Sequence, residues 1–111
     1  MSEFTFLFRG RQIFDSPEQG QKHIQQWLAW FKELGEQGHV VDSGHPLEHV
    51  GKVVRGKQKV ITDGPFAEAK DVVGGYIIVA ARDLDHATGL SMGCPILQVG
   101  GSVEIRPVQK M

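Results

Sequence analysis

Residues 16–38 read SPEQGQKHIQQWLAWFKELGEQG and contain the clearest structural signal in the chain. Ser16 directly precedes Pro17, and Gln19 follows Ser16 by three residues, which is the pattern of a helix N-terminus. Apolar residues then recur at spacings of three and four, as in an amphipathic helix packed on one side: Ile24, Trp27, Leu28, Phe31 and Leu34. Gly38 is the expected C-terminal stop. We therefore predict a helix between Ser16 and Gly38.

The segments on both sides of this helix have the patterns of β-strands. Phe4, Phe6 and Phe8 recur at period two, so they share one face of a strand over residues 4–8. A short strand is expected over 39–44. Two β-rich runs within 50–62 flank Arg55-Gly56-Lys57, which indicates a hairpin. Residues 76–81 are apolar on both faces, as in an interior strand, and residues 103–106 alternate as a last strand.

A second, weaker helix is expected between the last two strands. Asp83 or Asp85 caps it, one side carries Ala87, Leu90, Ser91 and Cys94, and Pro95 stops it. The resulting order is strand, helix, short strand or strands, strand, helix, strand. This order predicts an α+β, ferredoxin-like split β-α-β sandwich, in which an antiparallel sheet carries two helices on one face.

The number of sheet faces predicts a homodimer. Two helices can cover only one face of such a sheet, yet residues 76–81 offer apolar groups to both faces, and Leu7 points away from Phe6 and Phe8. In a chain this short, the second layer is most easily a second copy of the chain.

Composition narrows the class of protein. The 111 residues and 12.3 kDa fit one domain over 1–111, and 12 Lys and Arg against 13 Asp and Glu leave a net charge of -1. We therefore expect no nucleic acid partner and no anionic membrane partner. The longest mostly apolar stretch, 72–81, is far shorter than the roughly 20 residues of a spanning helix. The lone Cys94 cannot form an intramolecular disulfide, and a reduced, cytoplasmic domain is expected.

Four separated blocks carry a family resemblance. They are DGPFAEAK at 63–70, VGGY at 73–76, Cys94-Pro95 and GSVEIRPV at 101–108. In this order they resemble the YCII-related family, in its DGPF-motif branch. The usual version of the motif has Thr where Ala69 stands and Glu where Asp71 stands, and neither change removes a candidate functional group.

The resemblance implies a dimeric α/β barrel with clefts lined by the sheet and the first helix. Members of the wider family are suspected of acid–base chemistry through a His-Asp pair, with the histidine on the first helix; His23 is the matching residue here. The DGPF branch has no established reaction, and it is related to domains encoded with alternative sigma factors. Family resemblance therefore predicts the fold better than the function.

His23 is the leading candidate for catalysis on its own spacing as well. Trp27 lies four residues on and Trp30 seven, so the three side chains follow one edge of the apolar stripe. An imidazole beside two indoles, at an edge where helix, sheet and solvent meet, is placed for proton transfer near neutral pH. The alternative is a rim histidine that covers the edge of the core.

A general-base histidine needs a carboxylate to orient it, and Asp63 is the first candidate and Asp42 the second. The alternative for Asp63 is a purely structural role in a turn, and the alternative for Asp42 is a solvent-facing position at the end of a strand. Trp27, Trp30, Phe66 and Arg106 are the candidate substrate contacts. Arg106 shares a strand face with Glu104, so pairing across the dimer is the alternative for that residue.

A metal site is not expected. His39, His45 and His49, with Asp42, invite a metal interpretation, but their spacings match no standard zinc pattern. The sequence thus favours a cofactor-independent enzyme of the isomerase or lyase type, in which His23 moves one proton on a small molecule. Two alternatives stay open: a non-catalytic metabolite- or protein-binding module linked to transcription, and a dimer whose cleft has no chemistry.

Overall fold

The first helix begins and ends where its sequence predicts. The computed structural model describes residues 1–10, 14–64 and 68–111, and its first helix, α1, spans Pro17–Glu36. The Ser16 hydroxyl accepts a hydrogen bond from the Gln19 backbone N–H at 3.2 Å, which confirms the predicted N-cap. At the other end, the His39 N–H donates to the Leu34 carbonyl at 2.9 Å and closes the last turn around Gly38.

In the described parts of the chain, six strands and a second helix complete the order. They are β1 Ser2–Arg9, β2 Val40–Asp42, β3 Gly51–Arg55, β4 Val60–Gly64, β5 Val73–Ala81, α2 Leu84–Ser91 and β6 Ser102–Pro107. Of the strands within residues 1–10, 14–64 and 68–111, four form one antiparallel sheet in the order β2-β5-β1-β6. This is the strand order of the ferredoxin-like fold, with the β3–β4 hairpin inserted between its second and third strands. The predicted fold class is confirmed.

The core lies between the sheet and the helices. Register pairs Phe6 with Ile77 on one side and with Ile105 on the other, so these side chains share the face that the helices cover. Phe6 and Ile77 are fully buried, and α1 contributes Trp30 and Leu34 to the same cluster. Each such buried side chain contributes about 1.5–3 kcal/mol of transfer free energy, which holds α1 against the sheet.

The second helix ends earlier than predicted. Asp83 is its N-cap, accepting from the His86 N–H at 2.8 Å, but the helix stops at Ser91 rather than at Pro95. A proline ring disfavours the helical region for the residue before it, and Cys94 is accordingly extended and lies outside the helix. Pro95 instead begins a 3₁₀ turn, Pro95–Val99, which buries Cys94 and Ile96.

The β3–β4 hairpin is a separate two-stranded sheet. Its turn contains Gly56, and the Lys59 N–H donates to the Gly56 carbonyl at 3.1 Å. Its apolar residues Val54 and Ile61 are cross-strand partners, and both are exposed. The radius of gyration is 15.5 Å, above the roughly 13 Å of a compact domain of about this size, in keeping with a hairpin that packs little against the sheet.

The homodimer prediction places a second copy of the chain on the sheet face opposite the helices. Leu7 is the register partner of Tyr76, and both leave the sheet on this face together with Ile78; all three are half-buried. The homodimer stays a prediction from the face count. Among the described helices, neither is long and apolar enough to span a bilayer.

Candidate functional site

His23 lies on α1 with its ring enclosed by aromatic side chains. Only 5% of the residue is exposed. The Trp27 indole N–H, one helical turn further on, donates a hydrogen bond to His23 Nε2 at 2.9 Å. The Phe14 ring lies on another side, with the two ring centroids 4.9 Å apart. The helical spacing of four residues thus brings the predicted histidine and indole together.

This hydrogen bond sets the protonation state of the imidazole. An indole nitrogen can only donate, so His23 Nε2 must hold a lone pair, and the proton of the neutral ring is on Nδ1. Burial also lowers the pKa of His23 below its ordinary value of 6.5, because the charged imidazolium loses its hydration. The ring is therefore neutral near pH 7.

A cavity of about 460 Å³ opens beside this ring. It lies between α1, the first residues of β5 and the loop that follows β2. The described residues that line it are Phe8, Phe14, Gly20, His23, Ile24, Trp27, Leu28, Phe31, Ser43, His45, Pro46, Gly74, Gly75 and Tyr76. This described wall contains no Lys, Arg, Asp or Glu, so an uncharged, flat apolar molecule suits it best.

The loop over 42–47 holds the far wall of the cavity in place. Asp42 Oδ1 accepts from the Gly44 N–H at 2.8 Å, and the Leu47 N–H donates to the Gly74 carbonyl at 2.8 Å. Gly44 has φ +59°, and a Cβ there would lie 1.7 Å from the Tyr76 carbonyl oxygen. Only glycine fits at that point.

The Gly74-Gly75 pair has a packing role at the same wall. Pro46 forms an isolated β-bridge with Gly75, and a Cβ on Gly75 would lie 3.2 Å from the His45 carbonyl oxygen. The absence of side chains at Gly74 and Gly75 lets the loop lie close against β5. This places His45 and Pro46 on the cavity wall.

The two candidate aspartates are engaged elsewhere within the chain. Asp63 lies on β4 and forms an ion pair with Lys52 at 2.5 Å, both groups being exposed. Asp42 caps its own turn through Gly44. Neither aspartate is among the described residues of the cavity wall. Within one chain, the group that orients the His23 ring is the Trp27 indole, in the position where a carboxylate was expected.

The predicted substrate contacts divide between the cavity and other places. Trp27 lines the cavity, whereas Trp30 is buried in the core against Phe6, with ring centroids 6.4 Å apart. Arg106 lies on the edge strand β6, exposed, with its Nε 3.8 Å from a Glu104 carboxylate oxygen. Phe66 lies outside the described residues.

The histidines considered for a metal site are spread over different surroundings. His39 is buried, its Nδ1 2.9 Å from the Ala80 carbonyl oxygen and its ring against His86. His45 lines the cavity, and His49 is exposed in the following loop. Within the part of the chain that the structure describes, no group of three or more His, Cys, Asp or Glu is placed to hold a metal ion.

Sequence reasoning assigned Ile24 and Leu28 to the packed side of α1, and this was wrong. They are 59% and 62% exposed and line the cavity instead. The apolar stripe of α1 is wider than the sheet can cover. Trp30 and Leu34 are buried against the sheet, whereas Trp27 and the neighbouring row through Ile24, Leu28 and Phe31 border the cavity. A second apolar row beside a complete one was the signal available in the sequence.

Three further cavity residues had no site assignment from the sequence. Phe14 and Phe31 are aromatic walls, and His45 was considered only as a metal ligand. Cys94, in contrast, lies away from the cavity, and its burial raises the thiol pKa to about 12, as fits a structural rather than a nucleophilic cysteine.

Comparison with known proteins identifies the family. The YCII-related domain matches residues 5–111. The chain belongs to the YCII-related family. No curated protein matches the chain. Among solved structures, this YCII-related chain is similar to 5-chloro-2-hydroxyhydroquinone dehydrochlorinase (TftG) from Burkholderia phenoliruptrix AC1100, in complex with 2,5-dihydroxybenzoquinone. The TM-score is 0.55 at 16% identity, over 96% of this chain and 93% of that one, so the likeness concerns the fold alone.

Proposed function

We propose that this YCII-related protein is a cofactor-independent enzyme that moves a proton on a small, uncharged aromatic or quinoid molecule bound beside His23. The observation that carries the proposal is the cavity itself: about 460 Å³, walled by aromatic side chains, and bordered by an imidazole held in one orientation. A buried, oriented imidazole in an open apolar cavity is the arrangement that proton-transfer enzymes use.

The fold relative adds support to the choice of substrate class. The dehydrochlorinase was solved with a dihydroxybenzoquinone bound, and a ring of that size suits a cavity of this volume. Loss of HCl from a chlorinated hydroquinone is an elimination: a proton and a chloride leave, and the ring is left as a quinone. Such chemistry belongs to the isomerase and lyase type expected from the sequence.

The orienting group in this proposal is Trp27. The sequence favoured a His-Asp pair, but the carboxylates of Asp63 and Asp42 have partners of their own within the chain. The homodimer remains part of the proposal, with the cavity at a cleft of the assembly. The transcription-linked binding module has no support from the described geometry or from the structural comparison.

Turnover of a named compound tests the proposal. The purified protein is incubated without oxygen with 5-chloro-2-hydroxyhydroquinone, and chloride release is measured against time. We expect release above the uncatalysed rate, and a fall of about 10²-fold or more in His23→Leu, the range over which positioned acid–base groups contribute. His49→Gln, an exposed histidine away from the cavity, is the matched control and keeps the rate of the native protein.

Two outcomes would contradict the proposed function. If chloride is not released, and neither hydroquinone nor 2,5-dihydroxybenzoquinone raises the melting temperature, the proposal is wrong. A ligand at a hundred times its dissociation constant stabilises a folded protein by about 2.7 kcal/mol, which a melting experiment resolves easily. A rate that is the same in His23→Leu would also contradict it.

A further inference from the structure

The hydrogen bond between Trp27 and His23 determines which residue in the cavity can take a proton. A general base needs a free lone pair, and neutral imidazole has only one, on the ring nitrogen without a hydrogen. In His23 that lone pair is on Nε2, where it accepts the Trp27 indole N–H at 2.9 Å. The other ring nitrogen, Nδ1, carries a hydrogen and can only donate.

Protonation of His23 would also break this contact. With hydrogens on both ring nitrogens, Nε2–H would face the indole N–H, two donors with no acceptor between them. The two described rings that lie against His23, those of Phe14 and Trp27, carry no charge that would stabilise an imidazolium. Burial acts in the same direction by lowering the pKa of the group.

We propose that the Trp27 indole fixes His23 as a neutral Nδ1–H donor to a substrate oxygen, so that proton abstraction in this cavity falls to His45. This inference rests on the proposed function and divides its chemistry between two residues. Trp27 is then a positioning residue, since it acts on the substrate's chemistry through the His23 ring.

His45 is the other imidazole on the cavity wall. The loop that carries it is held by the Asp42–Gly44 turn and by the Leu47–Gly74 hydrogen bond. Tyr76, the remaining titratable residue of the described wall, leaves β5 on the face opposite Phe8, because it pairs with Leu7. A hydroxyl or imidazole must be deprotonated to act as a base, and imidazole is the group suited to this near neutral pH.

The step balances without a cofactor. A lone pair of His45 takes a proton from an acidic C–H or O–H of the substrate. The electron pair of that bond moves into the conjugated system, and the charge develops on the oxygen that accepts the His23 Nδ1–H. The charge then returns to the ring, either with uptake of a proton at another carbon, which is an isomerisation, or with departure of a leaving group such as chloride. The substrate class is therefore an enolisable or phenolic compound with an oxygen conjugated to the reacting position.

The first test needs no substrate. Nitrogen-15 NMR of histidine-labelled protein distinguishes a ring nitrogen that carries a hydrogen from one that does not. We expect His23 at pH 7 to be neutral with the hydrogen on Nδ1, and Trp27→Phe to convert it to a mixture of tautomers. Trp30→Phe is the matched control, since it removes a neighbouring indole whose ring centroid lies 5.8 Å from that of Trp27 but which takes no part in this hydrogen bond. A hydrogen on Nε2, a cationic ring, or an unchanged tautomer in Trp27→Phe would overturn the inference.

The second test separates a donor from a base through turnover of 5-chloro-2-hydroxyhydroquinone. In His23→Asn an amide N–H occupies about the place of Nδ1 but cannot take up a proton. If His23 donates, His23→Asn keeps kcat within about tenfold of the native enzyme, whereas His23→Leu loses about 10²–10³-fold, as on removal of an oxyanion donor. If His23 is the base, both variants lose activity equally, and the inference is wrong.

A third variant, His45→Gln, tests whether His45 is the base. We expect kcat to fall by about 10²–10⁴-fold, with the binding of hydroquinone unchanged in a calorimetric titration. Activity retained in His45→Gln would refute its role as the base and leave the proposed function standing. No turnover in the native protein, together with no rise in melting temperature on addition of hydroquinone or 2,5-dihydroxybenzoquinone, would refute the proposed function, and the role of His45 with it. The tautomer measurement would still decide the role of Trp27.

Discussion

Replacing Gly44 by alanine should detach the loop that carries His45 from the sheet. The Cβ of an alanine there would lie 1.7 Å from the Tyr76 carbonyl oxygen, and an ordinary van der Waals contact begins at 3.4 Å. The loop must therefore retreat by about 1.7 Å. That displacement breaks the Gly44–Asp42 hydrogen bond and the Leu47–Gly74 hydrogen bond.

The expected loss of stability follows from two contributions. An alanine with positive φ costs about 1 kcal/mol in backbone conformation. Each of the two hydrogen bonds contributes about 1 kcal/mol net. Gly44→Ala should therefore lower the free energy of unfolding by about 3 kcal/mol, which leaves a folded protein if the native stability is in the usual range of about 5–15 kcal/mol.

Gly56→Ala is the matched control. Gly56 has φ +69° in the hairpin turn, with no atom within 4 Å of the position that a Cβ would take, so it carries the conformational cost without the steric clash. We expect a loss of about 1 kcal/mol there. Urea unfolding of both variants at one protein concentration measures the difference, and hydroquinone titration shows whether the cavity wall has moved.

The double variant sharpens the test. If the retreat of the loop breaks the Asp42 turn, Asp42→Ala should cost nothing further in the Gly44→Ala protein, although it costs about 1 kcal/mol in the native one. Equal losses in Gly44→Ala and Gly56→Ala would refute the reasoning. They would mean that the loop absorbs the extra carbon without leaving the strand.

Three other predictions concern the titrating groups and the open sheet face. Because the folded-state pKa of His23 is below the 6.5 of the unfolded chain, the unfolded state binds the proton first as pH falls. Stability from this group is complete above pH 6.5 and declines below it, by up to about 1.4 kcal/mol per pH unit, until the folded-state pKa is passed. Urea unfolding of the native protein and of His23→Asn gives the difference between their free energies of unfolding at each pH. This difference should show that slope, and a pH-independent difference would contradict the prediction. With its pKa raised to about 12, Cys94 should resist iodoacetamide at pH 9 in the native protein and react in urea; rapid native labelling would be the contrary result. Sedimentation equilibrium should give a dimer that Ile78→Lys converts to a monomer, and a monomeric native protein would rule out the predicted homodimer.

The elements of the fold were predictable because their signals are local. The Ser16 cap, the aromatic alternation of β1 and the double-sided apolar character of 76–81 each depend on neighbours in sequence, and the structure confirms the helix, strand and interior strand they predict. The order of these elements predicted the split β-α-β topology, and the family resemblance implied the same fold. The end of α2 was predicted too far along the chain, because the steric effect of Pro95 falls on Cys94 and the helix had to end before it.

The site was only partly predictable, and the reason is distance along the chain. Spacing along one helix placed His23 and Trp27 together, because residues four apart on a helix are neighbours whatever the rest of the chain does. A pairing of His23 with Asp63 or Asp42 required the relative position of separate elements, which no spacing contains. The sequence by itself thus determined the strand and helix order and the histidine–indole pair. Only the tertiary structure decided that β5 and the loop carrying His45 meet α1 around a cavity, that Trp30 belongs to the core, and that an indole rather than a carboxylate orients the imidazole.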